Sequence, residues 1–224
     1  MLRILVLLCL LHLGAQAEPG WQRGAEFRVI QVMKTTPRTP EVQAQIVTGL
    51  RVLPERLKET VFTRGLQIML VPRVEDYFKS YMAERPVHKL PKSETAFFDP
   101  TRNCVVVAEE VPRHRGDPRS TNDFATEVFL HEFGHACDHC FGMPSKQQPF
   151  LQVYQQDLSE TSAEQRRRAA AFSAEGTGPR ETFAELLALH YMERLQLPTV
   201  HGYILKMFPR TYAYMRGTLS TFDR

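Results

Sequence analysis

Five consecutive residues, His131-Glu132-Phe133-Gly134-His135, are the side chains in this sequence best suited to hydrolytic chemistry on a metal. On a helix each residue turns about 100°, so two histidines four apart lie about 40° apart on one face. Both imidazoles then reach one zinc ion at about 2.0–2.1 Å. Glu132 is turned about 100° from His131. It stands beside the metal, where a carboxylate can take a proton from zinc-bound water as general base. The pattern fixes only three positions, and alone it fits an ordinary helix with two incidental histidines equally well. A catalytic zinc uses three protein ligands and leaves one position for water. Glu181 and Glu185 offer the third: at i, i+4 they share one helix face. One would bind zinc while the other orients a histidine from behind. Spacing alone does not choose between them, and two carboxylates facing solvent beside Arg180 is the plain alternative.

The elements that would carry these residues are legible. The turn of apolar residues predicts a helix from Asp123, read as its N-cap, through about Cys140, ended by Gly142 and Pro144. Further helices are expected from the Gln147–Pro149 region to Asp157, over Ala163–Phe172, over Arg180–Leu195, and over Pro209–Thr218. Upstream, Gly24–Met33 reads as a strand. Glu41–Glu59 reads as a helix that Pro54 kinks or splits. Leu66–Val71 is a buried strand, and Val74–Glu84 is helix or loop. Pro86–Glu94 is loop. Thr95–Ala108 is a hairpin turning through Asp99-Pro100-Thr101-Arg102-Asn103, and Glu109–Asn122 is loop. Strands in the first half and helices in the second make an α+β chain of one domain.

Taken together, the motifs resemble a known family. Leu130-His131-Glu132-Phe133-Gly134-His135-Ala136 with Asp138 is similar to the zinc helix of the anthrax lethal factor catalytic domain, whose family includes the Pro-Pro endopeptidases. Glu181-Thr182-Phe183-Ala184-Glu185 resembles the family's second motif, and Phe208-Pro209-Arg210-Thr211-Tyr212-Ala213-Tyr214 its closing helix. The resemblance is strongest from about Asp123 to Tyr214. It implies a zincin-type metallopeptidase domain with one zinc ion on His131, His135 and Glu181. Glu185 and Asp138 would then stand behind the ligands. The hairpin near Val105–Ala108 would be the edge strand, with Val106 and Val107 pairing to an extended peptide. One departure is plain. The resemblance implies a tyrosine seven residues before the ligand glutamate, donating to the developing oxyanion, and this chain has Ala174 there. Tyr154, Tyr191, Tyr203, Tyr212, Tyr214, His139 and His190 are the candidate substitutes.

The ends and the composition set the context. Arg3, the apolar run Ile4–Leu13 and Ala15-Gln16-Ala17 make the three-part pattern of a secretory signal over residues 1–17, with the mature chain, 18–224, starting near Glu18. That run is too short to span a bilayer comfortably. Lys and Arg total 28 against 25 Asp and Glu, a net charge of +3. This balance disfavours a nucleic-acid or membrane-surface partner. Two basic clusters, Arg113-His114-Arg115 and Arg166-Arg167-Arg168, read as solvated surface. Cys104, Cys137 and Cys140 remain after the signal. In an exported chain they predict one disulfide, from Cys104 to Cys137 or Cys140, and one free thiol. The function expected is a secreted, monomeric zinc endopeptidase acting on a peptide or protein. The alternative is a zinc-binding relative without turnover that works by binding a protein partner.

Overall fold

In β4 (Cys104–Ala108) every residue is buried, so both faces of the sheet around it are covered. In this computed structural model, which describes residues 26, 28–81, 95–112, 118–199 and 201–223, that strand lies second from one edge of a four-stranded sheet. The order is β1 (Ile30–Val32), β2 (Gln67–Val71), β4, then β3 (Ala96–Asp99). β1 and β4 flank β2 in parallel, while β3 folds back antiparallel on β4. Side chains alternate across the sheet with the period of two that a strand imposes. Ile68, Leu70, Phe98, Val105 and Val107 face the large core. Met69, Val71, Phe97, Cys104, Val106 and Ala108 face a smaller one closed by Val74 and Tyr77.

The helices follow from equally local causes. α1 (Thr39–Val52) presents Val42, Ile46, Val47 and Leu50 to the core, and the chain is broken before α2 (Glu55–Thr63) by Pro54. α3 (Val74–Tyr81) covers the smaller core. β5 (Glu110–Pro112) and β6 (Arg119–Thr121) pair antiparallel as a separate two-stranded ribbon. The second half is helical: α4 (Ala125–Cys140), a 3-10 turn at Pro144–Lys146, α5 (Gln148–Glu160), α6 (Ala163–Arg168), α7 (Ala170–Ser173), α8 (Gly178–Leu195), α9 (Ile204–Met207) and α10 (Pro209–Leu219). α10 is docked by the buried carboxylate of Asp157, which accepts from the Thr211 N–H and hydroxyl at 2.8 Å each. The fold is α+β, a small sheet in the N-terminal part and a helical C-terminal half.

Several expectations need correcting. Of the strand predicted over Gly24–Met33, the described residues form strand only at Ile30–Val32, with turn at residues 28–29; residues 24, 25 and 27 lie outside the described residues. The expected loop Glu109–Asn122 contains the β5–β6 ribbon. Helix α4 begins at Ala125 with Phe124 as its N-cap and no side-chain cap bond, so Asp123 sits in the preceding turn. Val106 and Val107 do not lie on an edge. They are paired to Met69 and Leu70 on one side and to Phe97 and Ala96 on the other, which leaves no main-chain group for a peptide. The edges of the described sheet are β1 and β3, and β3 is the one next to β4. The disulfide is also absent: Cys104, Cys137 and Cys140 are all free thiols. Cys104 packs on the smaller-core side of the sheet while Cys137 and Cys140 pack in the large core, so the sheet separates the predicted partners. The signal segment 1–17 and the loop Pro86–Glu94 lie outside the described residues. No described helix is long and apolar enough to cross a membrane.

Candidate metal centre

The centre is built where α4 and α8 touch. Gly134 lies directly against α8: a Cβ placed there would be 2.6 Å from Ala184 Cα and 2.8 Å from its carbonyl oxygen. Only glycine permits that approach, because both obstructing atoms are backbone. Gly134 falls just before His135, and Ala184 falls between Glu181 and Glu185. The backbone contact therefore brings the two histidines of one helix against the two carboxylates of the other. α8 is held beneath its N-terminus by a second glycine. A Cβ on Gly178 would meet the Tyr154 hydroxyl at 2.5 Å.

His131 Nε2 and His135 Nε2 each lie 3.4 Å from the same oxygen, Oε2 of Glu181. The three donor atoms are mutually within 4.8 Å. Two ligands on a tetrahedral ion at about 2.0–2.1 Å stand about 3.3–3.4 Å apart. The spacing of each histidine nitrogen from Glu181 Oε2 is thus that of two ligands on one zinc ion. Behind His131, its Nδ1 lies 2.8 Å from Glu185 Oε2. A carboxylate there fixes the tautomer that leaves Nε2 with its lone pair for a metal. His135 Nδ1, by contrast, is buried without a hydrogen-bond partner among the described residues.

The electrostatics of the metal-free centre follow from this packing. Burial opposes a charge on His131, but hydrogen bonds with Glu181 and Glu185 outweigh it and push the imidazole up to about 10. Burial would raise both carboxyls, yet Glu181 is held well below the usual carboxylate range by His131 and His135. Glu185 is held at about 2 by His131 and His201. Zinc carries the same sign of charge as the proton that these groups retain, and would displace it.

The centre opens onto a cleft of about 820 Å³. Glu132 lines it beside His131, with Val111, Pro112, Phe124, Val128 and Phe172 among its apolar walls. The structure therefore brings together His131, Glu132, His135, Glu181 and Glu185. It does not bring Asp138 to the metal side. That carboxylate accepts from the Ser145 N–H at 2.8 Å and the Ser145 hydroxyl at 2.7 Å, tying down the turn after α4. None of the tyrosines lines the cleft. Tyr154 donates to the Phe172 carbonyl at 2.8 Å and Tyr212 to Glu193 at 3.0 Å. His139 lies tilted against Phe98, and His190 packs against Tyr191 and Tyr212. Sequence reasoning missed His201, whose Nδ1 lies 3.0 Å from Glu185 Oε1 and whose ring lines the cleft. Glu185, as hydrogen-bond partner, raises its pKa against the opposing effect of burial. A lone histidine in an aperiodic loop carries no signal in the sequence.

Fold and donors together define an α+β domain with a His, His, Glu set beside a cleft that His131 and Glu181 line. The sequence matches no protein-family model and no curated protein. The fold matches solved structures, among them the Pro-Pro endopeptidase PPEP-2 from Paenibacillus alvei. The TM-score is 0.56 at 15% identity, covering 86% of this chain and 98% of that one. The chain thus shares the fold of a Pro-Pro endopeptidase along almost the whole of that structure.

Proposed function

We propose that the chain is an exported zinc-dependent endopeptidase whose metal is held by His131, His135 and Glu181. The observation that carries this reading is the 3.4 Å spacing of both histidine nitrogens from one oxygen of Glu181, a residue that lines the cleft. The fold shared with an endopeptidase supports it. Zinc held there supplies the Lewis acidity that polarises a peptide carbonyl and makes water acidic enough for a carboxylate base. Glu132 takes the proton from the attacking water and returns it to the departing amine nitrogen. Glu185 keeps His131 in the tautomer that presents Nε2. The apolar walls displace water from the bound peptide, and β3, rather than Val106 and Val107, offers it a strand edge. Export rests on the signal pattern of residues 1–17.

The test is zinc content together with cleavage of a mixed peptide library. Glu132→Gln is expected to keep its zinc and lose about 10²–10⁴ in rate. Cleavage by that variant at the parent rate would sink the mechanism. A second reading, a zinc-binding protein without turnover, is favoured by one observation: Ala174 stands where the resemblance implies a tyrosine, and no tyrosine lines the cleft. One lost oxyanion donor costs about 10²–10³ in rate. That reading predicts stoichiometric zinc and no product from any library.

A further inference from the structure

We infer that His201 is a positioning residue for the metal centre, holding Glu185 so that Glu185 in turn holds His131. The inference rests on the centre proposed above. Its basis is a continuous chain of contacts. His201 Nδ1 lies 3.0 Å from one Glu185 oxygen, and His131 Nδ1 lies 2.8 Å from the other. With Nδ1–H donating from each ring, the carboxylate is fixed at both oxygens, and His131 Nε2 is left facing the Glu181 side, the nitrogen that would exchange its proton for a metal. A carboxylate bonded at one oxygen only can rotate and let the imidazole swing. Bonded at both, it has one orientation.

His201 is itself held in place. Its carbonyl accepts from the Ile204 N–H at 2.8 Å, which closes the turn before α9. Its ring lies edge-on to Phe172 of α7, with centroids 5.8 Å apart. Glu185 is 3% exposed, so water does not readily replace a lost donor, whereas the His201 side chain is 42% exposed and can be exchanged without opening the core. The arrangement matters more for His131 than it would for His135, because the Nδ1 of His135 has no hydrogen-bond partner among the described residues. The orientation of the two-histidine pair is therefore set largely from the His131 side, through Glu185 and His201.

The experiment measures zinc affinity of the full mature chain by competition with a chelator, with folding of each variant followed by thermal unfolding. Loss of a group directly behind a metal ligand costs about 10–100-fold in affinity, which is the expectation for Glu185→Gln. His201 acts one bond further out, and His201→Leu, which keeps the contact with Phe172, should weaken zinc by about 3–10-fold. His201→Asn places an N–H near the position of Nδ1 and should restore most of that loss. In the Glu185→Gln background His201→Leu should cost nothing further, the non-additivity expected of residues acting in one chain. Parent-like zinc affinity in a folded His201→Leu variant would overturn the inference. So would an equal loss in the Glu185→Gln background, or a loss in His201→Asn as large as in His201→Leu. A parent chain that takes no zinc overturns this inference and the metal centre together. One that takes zinc but cleaves nothing overturns only the peptidase reading, since the readout here is affinity.

Discussion

Helix propensity and packing give opposite signs for Gly134→Ala, which makes that substitution a sharp probe of how the centre is assembled. In an unobstructed helix interior, alanine is favoured over glycine by about 0.8–1 kcal/mol. Here the added Cβ would stand 2.6 Å from Ala184 Cα and 2.8 Å from its oxygen, against carbon contacts of about 3.5–4.0 Å. Neither atom is the end of a flexible side chain, so α4 and α8 must separate by about 1 Å. Overpacking of this kind costs about 1–3 kcal/mol. With a rigid backbone obstacle the upper end applies, and after the propensity gain about 2 kcal/mol of destabilisation remains. For a chain of this size that lowers Tm by about 4–8 °C. The same separation moves Glu181 away from both histidines, whereas zinc bond lengths tolerate about ±0.2 Å. Zinc affinity should fall tenfold or more. The assays are urea unfolding of the metal-free protein and chelator competition. Gly217→Ala is the control: it lies in α10 with nothing within 4 Å of a Cβ, and should stabilise by about 0.5–1 kcal/mol. If Gly134→Ala is as stabilising as Gly217→Ala and binds zinc like the parent, the helix contact does not set the donor geometry.

Asp138→Ala removes both acceptors of the buried Ser145 and should cost about 1.5–3 kcal/mol in unfolding free energy while leaving zinc affinity unchanged. A zinc defect there would return Asp138 to the metal side. The metal-free protein should bind zinc with release of about one proton near pH 7.5, because His131 is held protonated, its pKa raised to about 10. Calorimetry in buffers of different ionisation enthalpy counts that proton. Raised in the fold, His131 contributes stability that is complete below its unfolded pKa of about 6.5 and is lost as pH climbs through about 10. Lowered in the fold, Glu185 contributes above about 4.5 and loses it as pH falls through about 2. The cluster therefore favours the metal-free fold most between about pH 4.5 and 6.5, while zinc affinity rises with pH. Stability and affinity rising together above pH 6.5 would contradict the assignment. Finally, Tm should not change with reductant, and Cys104, Cys137 and Cys140, all buried, should resist alkylation until the protein unfolds.

What was legible in the sequence is what local spacing determines. The periodicity of α4, the break at Pro54, the hairpin turn after Asp99 and the shared face of Glu181 and Glu185 are each fixed by residues a few positions apart. The errors share the opposite cause. Whether β4 is an edge strand depends on β2, whose pairing with it is parallel and set by contacts more than 30 residues away. The cysteine pairing failed for a related reason: which face of a strand Cys104 takes is a matter of register, and a one-residue shift would reverse it. Asp138 follows His131 closely in angle on α4, yet two turns of helix carry it to the Ser145 turn, so angular proximity alone misassigned it.

The candidate donors come from two helices, and the spacing within each helix was readable on its own, but the sequence does not say which helix Gly134 of α4 meets. The small Gly134 permits a close neighbour, and the fold supplies it: backbone contact at Ala184 of α8. The glycine lies between Glu132 and His135. On the proposed reading its position gives the motif two jobs at once, supplying donors and setting the distance to the helix that completes them. A chain with the same histidines and glutamates but a Cβ at that position would retain every chemical group and lose the 3.4 Å spacing on which the proposed zinc site rests. The same logic extends outward to Glu185 and His201: in the proposed centre the donors would define which ion is held, and the contacts behind them would decide whether it is held in a geometry that leaves a face open to the cleft.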